Sequence, residues 1–214
     1  MKGNILIFCA HPDDEVFGAG GTIAKLAKQG FKIKTVVFSY GEQSHPWIKK
    51  RFVVETRVKE SNEASKVIGS ERAIFLALRE GYFKEDAKKR NVEKYLSGLI
   101  KKTSPKKIFT HSIDDPHPDH RIAYETTLNS VRKSGKQCSV YTFDIWNPLN
   151  VVKRKNPRMY VDISDTFGIK INALKCFKSQ TASMISLLWS VYVRAVKNGI
   201  ENKSRFAEVF YKAK

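Results

Sequence analysis

Two periods of apolar residues alternate along most of the chain. Residues 4–8 form a short apolar run with polar borders, the pattern of a strand buried on both faces, and Ile23, Leu26 and Ala27 then recur at helical spacing. Residues 31–39 are β-branched and bounded by Gly30 and Gly41, which predicts a second strand, followed by a loop over 40–47 and a helix over 48–68 with Gly69 at its C-cap. A third short strand is expected over 73–76, with a loop at 79–82. Val92, Tyr95, Leu96, Leu99 and Ile100 mark an amphipathic helix that Pro105 ends. Residues 107–111 read as a fourth strand, Ile122 and Leu128 lie on the next helix, and residues 139–146 read as a fifth strand.

This alternation argues for an α/β fold built on a mainly parallel sheet with helices on both faces. From Asn147 the pattern changes. Residues 158–163 resemble a late edge strand, and Ser164 or Asp165 is placed to cap a helix running past Gln180. Ile185, Leu188, Trp189, Tyr192 and Val196 mark a last amphipathic helix ending at Gly199, whose aromatic stripe is expected to face the core. No repeat or low-complexity linker interrupts the chain, and 214 residues suit one domain.

Composition narrows the classes. Cys9, Cys138 and Cys176 lie far apart, which supports neither a disulfide framework nor a cysteine zinc site, and all three are expected as buried small hydrophobes. No stretch is long and apolar enough for a transmembrane segment, and no targeting pattern precedes the first strand, so a cytoplasmic location is expected. Lys and Arg number 39 against 21 Asp and Glu, a net charge of +18 that attracts anions of any kind. The basic residues fall in short runs such as Lys49-Lys50-Arg51, Lys88-Lys89-Arg90 and Lys153-Arg154-Lys155, without the interleaved aromatics of a single-strand binding groove. Nucleic acid is therefore not expected as a partner.

The chemistry concentrates at two turns. Cys9-Ala10-His11-Pro12-Asp13-Asp14-Glu15 follows the first strand, and Asp114-Asp115-Pro116-His117-Pro118-Asp119-His120 follows the fourth. Either alone fits a helix N-terminus meeting its dipole with carboxylates. Together, at the carboxyl ends of two strands of one parallel sheet, they mark a site. His11, Asp14 and His120 would make a two-imidazole, one-carboxylate zinc site with a position open for water. Asp13 and His117 would then be left to accept a proton and to stabilise an oxyanion. Gly18-Ala19-Gly20-Gly21 lacks the dinucleotide-binding spacing, and its glycines are read as points of close backbone approach.

The motif Ala10-His11-Pro12-Asp13-Asp14-Glu15, then Gly18-x-Gly20-Gly21 and His117-Pro118-Asp119-His120, resembles the PIG-L/LmbE-like family of zinc-dependent N-acetylglucosamine deacetylases. Weaker similarities continue through Arg57-x-x-Glu60, Lys178-Ser179-Gln180 and Phe206-Ala207-Glu208-x-Phe210. The resemblance implies a Rossmann-like fold without a nucleotide and hydrolysis of an N-acetyl group on a small-molecule GlcNAc conjugate. It implies zinc, or another divalent transition metal, on His11, Asp14 and His120, with Asp13 as base and His117 as oxyanion stabiliser or acid. Asp119 would orient His117, Arg57 would contact substrate, and Glu80 stands where the family usually has Asp before Gly. An anionic aglycone would suit the +18 charge. A zinc amidase acting on another acyl amide would use the same residues, and a basic nucleic-acid-binding module is the reading from another class. A homo-oligomer is left open.

Overall fold

The computed structural model describes residues 2–44, 47–145 and 154–213. Its centre is a seven-stranded sheet of order β3-β2-β1-β4-β5-β7-β6. Strands β1 (Asn4–Cys9), β2 (Lys32–Val37), β3 (Ile74–Phe75), β4 (Lys107–Thr110) and β5 (Ser139–Thr142) run parallel, whereas β7 (Ala207–Lys212) lies antiparallel between β5 and β6 (Arg158–Asp162). Past Val37 the chain stays beside β1, because Phe38 N–H and Ser39 N–H donate to the carbonyls of Cys9 and Ala10.

The uninterrupted apolar run of β1 is explained by burial on both sides. Ile5, Ile7 and Cys9 face the layer of α1 (Asp14–Lys28), α2 (Lys50–Ile68), α6 (Phe167–Leu174) and α7 (Thr181–Glu201). Leu6, Phe8 and Ala10 face α3 (Phe83–Lys89), α4 (Val92–Thr103) and α5 (Pro118–Ser134). With β2 on one side of β1 and β4 on the other, the strand order reverses at the β1–β4 border, where open α/β sheets form their ligand crevice.

Several expectations are corrected. The helix expected to run past Gln180 is two helices, because Glu60 of α2 accepts from the Ser179 amide at 2.7 Å and its hydroxyl at 2.6 Å, holding residues 178–180 in a 3-10 turn. The last helix continues to Glu201 rather than ending at Gly199. Gly199 serves a close approach, since a Cβ there would lie 2.7 Å from the Ser204 and Arg205 carbonyl oxygens. The stripe on α7 faces outward, with Trp189 and Tyr192 about half exposed, while Met184, Val191 and Ala195 face the core. Cys138 and Cys176 are half-buried. Trp146, expected in the fifth strand, Lys153 of the third basic run and the side chain of Ile185 lie outside the described residues.

Strand β7 and helix α3 had no expected counterpart, and β7 braces α1. Glu208 on β7 accepts from the Gly21 and Thr22 amides at 3.1 and 2.8 Å, and Lys170 of α6 donates to Glu208 and to the Phe17 carbonyl, each at 2.7 Å. The glycine-rich segment makes this contact sterically feasible: a Cβ at Gly18 would lie 2.2 Å from the Phe143 ring, and one at Gly21 would lie 2.7 Å from Ile163.

Candidate active site

Helix α1 begins in a strained turn. Asp13, its N-cap, has φ 121 and ψ −28, a conformation that costs a non-glycine residue about 1–3 kcal/mol. Local bonds hold it there: the Asp13 carbonyl accepts from the Val16 and Phe17 amides at 2.9 Å, and its own N–H donates to Glu15 Oε2 at 3.2 Å. Arg57 of α2 closes over the turn. Its guanidinium donates to the Pro12 carbonyl at 2.6 Å and to Asp13 Oδ2 at 3.2 and 3.3 Å. One edge of the Asp13 carboxylate is thereby fixed. Burial pushes that carboxyl up to about 6 against the opposing pull of Arg57, and burial also raises Glu15 to about 7.

Helix α5 enters the crevice from the other side of the border. His117 is its N-cap and Pro118 its first residue, which fits a proline lacking the N–H that this position does not need. His120, one turn in, is buried, with Nδ1 3.0 Å from Asp115 Oδ1. Its Nε2 lies 3.3 Å from His11 Nδ1 and 3.6 Å from Asp14 Oδ1. The far nitrogen of His11, Nε2, lies 3.3 Å from Glu80 and 3.6 Å from Asp119. Carboxylates behind both rings thus favour protons on the outer nitrogens and turn the inner lone pairs toward one another, the usual outer arrangement around metal-ligating histidines.

His11, Asp14 and His120 offer ligand atoms that all lie within 4.8 Å of one another. Two facing imidazole nitrogens and a carboxylate make an electron-rich centre. Burial pulls the His11 ring down, but Asp119, Asp14 and Glu80 outweigh it and bring it up to about 10. A proton and a divalent cation compete for such lone pairs, so the donor set fits a metal such as zinc. Asp115→Asn is expected to weaken metal affinity about 10- to 100-fold with the fold intact, measured by competition against a chromogenic chelator.

The remaining expected residues line an open cleft of about 440 Å³ with this centre in its wall. His117 accepts from the Asp119 amide through Nδ1 at 3.2 Å, which leaves Nε2–H as its donor. Asp119 thus meets His117 through its backbone, while its carboxylate accepts from the Gly81 amide and lies beside His11. Arg57 reaches the cleft wall, yet its guanidinium is engaged by Asp13 and Pro12. Glu80 accepts from the Gln43 amide at 2.6 Å and contacts His11, so it steadies that ring as well as facing the cleft.

Four contributors were not foreseen. His111, fully buried at the end of β4, stacks on His120 with centroids 3.9 Å apart, and its Nε2 accepts from Ala10 N–H at 3.0 Å and lies 3.2 Å from Asp14. Asp115 was visible in its motif but had no role. Met184 and Leu187 of α7 supply an apolar wall that no local motif announces.

Residues 6–131, more than half of the chain, match the PIG-L family model, described as GlcNAc-PI de-N-acetylase. A probable N-acetyl-alpha-D-glucosaminyl L-malate deacetylase 2 of Bacillus cereus is 24% identical, over 86% of this chain and 87% of that protein. The 4-oxalmesaconate hydratase of Pseudomonas putida is 27% identical, over 92% of this chain and 80% of that protein. The N,N'-diacetylchitobiose deacetylase structure from Pyrococcus horikoshii superposes with a TM-score of 0.78 at 24% identity, covering 98% of this chain and 83% of that one, and so shares the fold. The paired histidine turns at the β1–β4 border are thus set in a known framework, and the chain belongs to the PIG-L family of amide-hydrolysing de-N-acetylases.

Proposed function

We propose that this protein is a zinc-dependent deacetylase that removes the N-acetyl group from a small GlcNAc-containing conjugate, releasing acetate and a free amine. The observation that carries this reading is the convergence of His11 Nδ1, His120 Nε2 and the Asp14 carboxylate on one point of the cleft wall, with Asp13 and His117 beside it. Held by these three groups, zinc supplies Lewis acidity for a carbonyl oxygen and acidifies water. Asp13 accepts the proton of the water that attacks the acetyl carbon, its other carboxylate edge being fixed by Arg57. His117 presents Nε2–H to the developing oxyanion, and burial together with His11 holds its ring below the usual histidine range, as a neutral donor requires. The proton gathered by Asp13 passes to the departing nitrogen as the C–N bond breaks. Glu80 and Gln43, which line the same cleft beside His11, would meet sugar hydroxyls. The net charge of +18 favours an anionic aglycone.

A second reading is favoured by the 27% identical hydratase: the same base and metal site adding water across a carbon–carbon double bond. One experiment separates the two. The purified protein is assayed for bound metal, for acetate release from neutral and anionic GlcNAc conjugates, and for hydration of an unsaturated dicarboxylic acid, each with and without a chelator. Chelator-sensitive acetate release, faster with the anionic conjugate, is expected. Hydration without acetate release would move the function to the second reading.

A further inference from the structure

In the chain between the cleft-lining Ser44 and the cleft-lining Arg57, six consecutive residues, 47–52, are exposed. Three are apolar, with Trp47 79%, Ile48 42% and Phe52 57% exposed. The other three are Lys49, Lys50 and Arg51, of which Arg51 pairs with Glu55 at 2.8 Å. Phe52 lies five residues before Arg57, about 8 Å along the helix axis. Large apolar side chains around a basic run match the two demands of an anionic bilayer surface: an aromatic group for the interfacial layer and cations for the headgroups. The exposed stripe of α7 differs, because its helix carries no run of consecutive basic residues beside Trp189 and Tyr192.

We propose that residues 47–52 dock the protein onto an anionic lipid bilayer. Trp47, Ile48 and Phe52 enter the interface, while Lys49, Lys50 and Arg51 meet acidic headgroups. Among the described residues no helix is long and apolar enough to cross a membrane, so the contact is peripheral and reversible. The docking itself is independent of which reaction the site performs.

The test is co-sedimentation of the full chain with vesicles of phosphatidylglycerol and phosphatidylcholine, compared with pure phosphatidylcholine, over a range of salt. Binding to the anionic vesicles alone is expected, weakening as salt rises. Lys49→Gln with Lys50→Gln should lower the partition coefficient about thirtyfold at low salt. Trp47→Ala with Phe52→Ala should lower it about tenfold or more, with turnover of a soluble substrate unchanged. Absence of binding to anionic vesicles would overturn the proposal. So would equal binding by the Trp47→Ala/Phe52→Ala variant, which would assign the attraction to diffuse surface charge. Self-association of the wild type that this variant abolishes, without vesicle binding, would make the segment an interface between copies of the chain and would equally overturn it.

Discussion

Asp13→Asn is expected to lower kcat about 10²- to 10⁴-fold, the range for loss of a positioned general base, while bound metal stays at the wild-type level. The substitution keeps the size of the side chain and an oxygen for Arg57, but an amide cannot take up the proton of the attacking water. Metal content is the discriminating control, because Asp13 stands outside the His11, Asp14 and His120 donor set. Arg57 adds a second check. If its work is to hold the Asp13 carboxylate, Arg57→Lys should reduce kcat more than it raises KM, since lysine cannot reach Pro12 and Asp13 with a planar fork. Normal turnover by metal-loaded Asp13→Asn would remove Asp13 from the role of base.

His120→Ala carries the other large effect. It removes one of two facing imidazole nitrogens, strips Asp115 of a partner and uncovers the ring of His111. Bound metal, measured by elemental analysis after dialysis, should fall well below one per chain. Turnover should drop on the order of 10³-fold or more, because the Lewis acid contributes several kcal/mol to catalysis of this kind. His11→Ala should behave alike. Metal retained at the wild-type level would require another set of ligands: for His11→Ala the buried group His111, Asp115 and His120, and for His120→Ala the group His11, His117 and Asp119.

Much of this site is written in local sequence. The apolar run of β1, the proline-marked entries to α1 and α5 and the repeated His-Pro-Asp order place two ionisable turns at neighbouring strand ends. Each of those features depends on residues a few positions apart. What escaped depends on partners distant in the chain. The Asp119 carboxylate meets a Gly81 amide 38 residues away, and Arg57 turns to Asp13 across 44 residues. The break between α6 and α7 comes from Glu60, 119 residues before Ser179. Likewise, nothing in the sequence around Ala207-Glu208-x-Phe210 announces a strand slotted antiparallel between β5 and β6. His111 looked like the last residue of a strand because only the packed sheet lays it beneath His120.

The carboxylate of Glu208 ties α1 to a distant part of the chain. The group that satisfies the Gly21 and Thr22 amides of α1 lies 186 residues after Thr22 in the chain. It also lies outside the 6–131 segment that defines the family. A chain cut before β7 would carry every ionisable residue of the cleft and still lack this brace. Cleavage before β7 is therefore expected to loosen α1 and the turn it carries without touching a residue that lines the cleft.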